Sequence, residues 1–161
     1  MSENAVSSDE KTVTQESLNS EKYLIFSILD KLYSFPSRII GEIAIFDAVY
    51  PLPLVPAHVL GVVNRYSVPY ALFDIGLLFY KTPCPKNKVL IVKEEIDHIA
   101  FLIDDVSDIA DVHPENLKSV ERTSASKDLT EAVSSSFNWN GKEVLVLDIY
   151  RLIGHVSGDS V

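Results

Sequence analysis

Apolar residues along this chain fall into short runs separated by turn-forming residues, the pattern of a fold built from many strands. Residues 23–28 form a compact β-prone run, and residues 29–31 read as a turn. Leu32-Tyr33-Ser34-Phe35-Pro36 then alternates as the returning strand, which predicts a hairpin. A third strand is predicted over residues 39–46, where Gly41 and Glu42 interrupt an otherwise apolar stretch. Pro51, Pro53 and Pro56 follow within six residues. Each fixes φ and lacks an amide donor, so this segment is expected to be a stiff surface connection. Residues 59–64 read equally as a helical turn or a strand lead-in. Residues 68–73 read as a strand ending at Asp74, which is placed to cap a short helical turn over residues 75–79.

Beyond the break at Thr82-Pro83-Cys84-Pro85 the style repeats. Strands are predicted over residues 88–92, 98–103 and 106–112, the first two joined by a polar turn over residues 93–97. Residues 113–130 are polar and long enough for a functional loop. Two further strands, residues 132–137 and 143–147, flank Asn138-Trp139-Asn140-Gly141-Lys142, whose Asn-Gly pair favours a tight hairpin. A helical turn over residues 148–153 closes the pattern. Leu72-Phe73-Asp74-Ile75-Gly76-Leu77-Leu78-Phe79 is echoed by Val146-Leu147-Asp148-Ile149-Tyr150-Arg151-Leu152-Ile153. Both run from an apolar strand end through an Asp cap into a short apolar turn. Two related halves, and hence two small barrels in an all-β fold, are expected.

Composition changes the picture mainly by exclusion. The 161 residues are 47% hydrophobic, enough for a substantial core. A formal net charge of -9 argues against nucleic acid or an anionic membrane as partner. Residues 1–20 are too polar to repay the entropy of ordering, so a disordered tail is expected there. The folded domain is expected over residues 21–154 and a C-terminal tail over 155–161. The N-terminus lacks the basic and apolar regions of a secretory signal, and no apolar run reaches the length needed to span a bilayer. The expected location is the cytoplasm. One cysteine, Cys84, leaves no internal disulfide.

Candidate chemistry is sparse, and no cofactor or metal is expected. His58, His98, His113 and His155 are scattered without metal-ligand spacing and are read as surface or turn residues. No glycine-rich phosphate loop or Gly-x-Ser-x-Gly elbow is present. Asp104, Asp105, Asp108 and Asp111 form the one acidic cluster. The first three give the rival reading of a small acid- or metal-dependent hydrolase. The reading preferred for them is a strand junction with a solvated face. Arg65 and Tyr66, set between apolar stretches, are residue types enriched at partner interfaces.

Four segments in order resemble the CheW-like coupling proteins of bacterial chemotaxis. They are Glu21-Lys22-Tyr23-Leu24-Ile25-Phe26 with Tyr33 and Ile40-Gly41-Glu42-Ile43; Pro56-Ala57 through Gly61-Val62-Val63-Asn64 to Leu72-Phe73-Asp74-Ile75; residues 99–108; and residues 145–153. The resemblance implies two five-stranded SH3-like barrels sharing an apolar core. It also implies a non-enzymatic adaptor, recruited to membrane receptor arrays without entering the membrane. Its partners would be the cytoplasmic tips of methyl-accepting chemoreceptors and the CheW-like regulatory domain of the histidine kinase CheA. Receptor candidates carried over on this basis are Ile40, Glu42, Gly61, Asn64, Arg65 and Tyr66; kinase candidates are Leu117, Lys118, Ser119 and Val120. The family's usual Asn-Leu-Arg-Gly stands here as Asn64-Arg65-Tyr66-Ser67, and its following Pro as Ala71, with Pro69 two residues earlier. Tyr66 thus takes the Arg position. Arg65 next door is a candidate to substitute for that Arg beside Glu42, although neighbours on a strand face opposite sides, which puts receptor coupling of the usual kind in question. A diverged adaptor in a non-flagellar chemosensory system, such as type IV pilus motility, is the alternative within this reading.

Overall fold

A computed structural model describes residues 19–120 and 127–156. The expected N-terminal tail, save its last two residues, and most of the expected C-terminal tail lie outside the described residues. Ten strands form two five-stranded sheets. Sheet A has the order β8-β1-β2-β10-β9, and sheet B the order β3-β6-β7-β5-β4. In chain order the strands are β1 (Glu21–Ile28), β2 (Lys31–Pro36), β3 (Ile40–Ile45), β4 (Val59–Arg65), β5 (Val68–Asp74), β6 (Lys88–Val92), β7 (Ile99–Ile103), β8 (Asp105–Val112), β9 (Val133–Trp139) and β10 (Lys142–Leu147). Among the described residues, three short α-helices accompany these strands: α1 (Ile75–Tyr80), α2 (Lys127–Ala132) and α3 (Ile149–Val156).

The two sheets are the two expected barrels, although neither closes strand to strand. Each curls around a small interior with one face and turns its other face to a core shared with its neighbour. Alternate residues of β1 therefore serve different cores. Tyr23 and Ile25 join Val112, Phe137, Val144 and Val146 inside sheet A. Leu24, Phe26 and Ile28 enter the shared core. In β6, Val89 and Ile91 face the interior of sheet B while Leu90 and Val92 face the shared core. Burial on both faces explains why these strands read as continuous apolar runs, with little alternation. Across the shared core Phe35 of β2 stacks on Phe101 of β7, with ring centroids 5.9 Å apart.

The internal echo is real in three dimensions, but the sheets do not divide the chain at its middle. Sheet B comes from the continuous stretch β3–β7; sheet A takes β1 and β2 from one end and β8–β10 from the other. The echoing strands hold equivalent places. β5 lies parallel to β7 and β10 parallel to β2, each beside its own antiparallel hairpin partner. Each is followed by an Asp-capped helix. Asp74 accepts from the Leu77 amide at 3.2 Å, and Asp148 from those of Tyr150 and Arg151 at 3.0 and 3.1 Å. Even the gaps between the edges are spanned alike. Tyr50 exchanges two backbone bonds of 2.8 Å with Val62 of β4, and Lys118 exchanges bonds of 2.8 and 2.9 Å with Ser136 of β9.

Several local expectations change. Residues 59–64, undecided from sequence, belong to strand β4. Residues 127–132, of which 127–130 were expected in a polar loop and 132 at the start of a strand, form α2, which lays Leu129 and Ala132 on the shared core. The closing helix runs on to Val156, which is buried. His155, expected at the surface, is instead boxed in between α2 and α3. Its Nδ1 lies 3.2 Å from Asp128 Oδ1, and its Nε2 lies 3.1 Å from Glu131 Oε2.

Candidate functional site

The receptor candidates converge on the two free edges of sheet B. β3 and β4 are its outermost strands, so no backbone ladder joins them. Side chains cross the gap instead. Arg65 near the end of β4 donates from Nε to Glu42 Oε2 of β3 at 2.9 Å, and from its terminal nitrogen to Glu42 Oε1. A forked guanidinium–carboxylate pair fixes both distance and orientation. The Arg65 guanidinium carbon also lies 4.5 Å from the centre of the Tyr66 ring and 6.0 Å from that of Phe46. Pairing with Glu42 pushes the guanidinium further towards its charged form.

Arg65 thus does stand beside Glu42, in the place of the family's Arg. Strand alternation does not govern this pair of positions, because Tyr66 is not a strand residue. Tyr66 and Ser67, with φ of 51° and 65°, are the two central residues of the β4–β5 hairpin turn. Arg65 is the last ladder position, opposite Val68, and reaches across the barrel mouth. Tyr66, released from the pleat, is 81% exposed. Pro69 sits opposite Asn64, before β5 meets β7 at Ala71, so its missing amide removes no ladder bond on that side.

Other candidates hold more structural positions. Gly61 lies at a register shift with φ of 143°, and a Cβ there would stand 2.2 Å from the Tyr50 carbonyl oxygen. Only glycine lets the closing bridge approach so nearly. Asn64 is exposed and Ile40 half-buried against the shared core. Along the same edge the proline-rich connection exposes Tyr50, Leu52 and Leu54. Sequence reasoning missed Phe46 and Tyr70 at this site, and read residues 93–97 only as a polar turn. A concavity of 440 Å³ beside the ion pair is lined by Tyr66 and Tyr70, with Lys93, Glu94 and Glu95 from that turn. No spacing in the sequence signals this grouping, because only the sheet register assembles it.

The kinase candidates lie on sheet A. Lys118 makes the closing bridge to Ser136 with its backbone, which leaves its side chain exposed beside that of Ser119. Leu117 packs on the interior of sheet A and Val120 on the shared core.

The carboxylates of the rival hydrolase reading are held apart by separate partners. Asp104 accepts from Cys84 Sγ at 3.0 Å and from the Asp30 amide at 3.4 Å. Asp105 bonds Lys88 and the Val106 amide, which hold its carboxyl below the usual range. Asp108 caps the Ile109 amide at 2.8 Å. Among the described residues no three His, Cys, Asp or Glu side chains are grouped to hold a metal. Likewise, no helix among them is long and apolar enough to cross a membrane.

Comparison with known proteins agrees with this architecture. The CheW-like domain family matches residues 22–157. No curated protein sequence matches the chain. Among solved structures, the scaffolding protein TtCheW from Thermoanaerobacter tengcongensis superposes with a TM-score of 0.71 at 15% identity, covering 80% of this chain and 89% of its own. At that identity the likeness is one of fold.

Proposed function

The chain belongs to the CheW-like domain family of scaffold proteins, and from that premise we propose that it couples chemoreceptors to the histidine kinase CheA. The adaptor reads receptor tips with sheet B and holds the kinase's CheW-like regulatory domain through residues 117–120 on sheet A. Coupling then works through geometry. A bridge that fits one kinase conformation better than another shifts the balance between them by that difference in binding. Its working place is the receptor array at the cytoplasmic face of the membrane.

The observation that carries this reading is the Glu42–Arg65 pair with Tyr66 displayed beside it. The family's paired charges persist at the mouth of the barrel, while the residue in the usual Arg position is now an exposed aromatic. A rigid amphipathic ring beside an ordered guanidinium suits a binding anchor. The test replaces Arg65 and Tyr66 together by Ala, and Tyr66 alone by Ala, then measures binding to receptor tip fragments and to CheA. The single variant guards against misfolding, since Tyr66 is mostly solvent-facing. Receptor affinity should fall roughly thirtyfold in the double variant, with kinase binding unchanged. Normal folding with undiminished receptor affinity in both variants would refute the receptor site. In parallel, Lys118→Glu with Ser119→Glu should weaken CheA binding and spare receptors.

A further inference from the structure

The concavity beside Tyr66 has a chemical character of its own. The strong cation nearby, Arg65, is already committed to Glu42 and lies against the faces of Tyr66 and Phe46. What faces outward is the β6–β7 turn, Lys93-Glu94-Glu95-Ile96-Asp97. Asp97 turns back to accept from the His98 amide at 2.8 Å. Among the described residues, Glu94 has His98 Nε2 as its one ionic neighbour, at 3.5 Å. Glu95 and Lys93 have no ion-pair partner among the described residues, so the rim carries two carboxylates against one ammonium. Tyr66 forms an exposed wall, and Tyr70 is largely buried at 7% exposure. Burial and the nearby Glu94, Glu42 and Glu95 push the Tyr70 phenol above its ordinary range, which agrees with a negative local field.

Aromatic faces and carboxylates around one hollow attract the same kind of group. We propose that this concavity seats a basic side chain, arginine or lysine, on the receptor segment that docks at Tyr66. This rests on the reading of the Glu42–Arg65–Tyr66 surface as the receptor site, and it adds the chemistry by which that site selects its partner. A guanidinium would meet the ring of Tyr66 and the carboxylates of Glu94 and Glu95 together. A receptor offering a carboxylate at that point would meet like charge and be rejected.

The test uses the full chain with Glu94→Gln and Glu95→Gln combined, beside Tyr66→Ala. Calorimetry measures binding to purified chemoreceptor tip fragments from the same cell at low and high salt. The glutamine pair should weaken binding roughly tenfold at low salt and flatten its salt dependence, because rim charges act through long-range attraction. Fragments with their basic tip residues changed to Gln should lose the same factor, and lose nothing further against the Glu94→Gln, Glu95→Gln protein. If the glutamine pair leaves affinity and salt dependence unchanged while Tyr66→Ala weakens binding, the basic-partner inference falls and the receptor site stands. If neither change weakens binding, both fall.

Discussion

Ser67 occupies the second central position of the β4–β5 turn with φ of 65°, where the family pattern has glycine. A side chain in the left-handed region costs about 1–2 kcal/mol, and glycine returns part of that advantage through the entropy of the unfolded chain. Ser67→Gly should therefore stabilise the protein by about 0.5–1 kcal/mol in urea unfolding, without moving Arg65. Cys84 offers a pH test at the same scale. Its thiol is buried and donates to Asp104, and burial with the nearby carboxylates pushes it up to about 12 from an ordinary 9.0. Between those values the native state keeps a proton that the unfolded chain has lost, so stability falls as pH rises. Thermal midpoints should decline from about pH 9 upward, and Cys84→Ala should make that decline shallower. The neutral form is favoured at ordinary pH, so native Cys84 should react slowly with thiol reagents.

At the scale of elements, the two Asp-capped helices do equivalent work in unequal surroundings. Asp74 is 1% exposed and accepts from the Cys84 amide at 2.9 Å as well as from Leu77, whereas Asp148 is half-buried. Removing Asp74 leaves one buried donor, the Cys84 amide, and one part-buried donor, the Leu77 amide, unpaired. Asp74→Ala should cost about 2 kcal/mol or more and Asp148→Ala about 1, by denaturant midpoints of otherwise identical chains. The caps were legible in the sequence because a strand end, an Asp and an apolar turn are all local signals. So were most strands and the Asn140-Gly141 hairpin turn. β4 was not, since a short apolar run fits a helical turn equally well until its partner strand is known. α2 escaped because six residues barely exceed one and a half turns, too few for a helical period to emerge. The Glu42–Arg65 pair was only partly legible, for a different reason. Strand alternation was extended one residue too far, into a turn where it does not hold.

For the whole molecule, the decisive feature is that sheet B is continuous in sequence while sheet A joins the two ends of the chain. The shared core is lined from both sheets and from α1, α2 and α3, so neither barrel buries its outer face alone. On a ribosome this arrangement imposes a schedule. β1 and β2 emerge first, but β2 must wait for β10 and β1 for β8, while β3 to β7 already have all their strand partners once residue 103 is clear of the exit tunnel. Long-range pairing is the slow part of β folding. Nascent chains stalled once residue 103 has cleared the exit tunnel should therefore show protease protection over residues 40–103, with the first hairpin still cleavable. Protection of residues 21–36 should arrive only with the last strand. The leading segment thus stays exposed through nearly all of synthesis, which makes it the natural point for a chaperone to hold the unfinished chain.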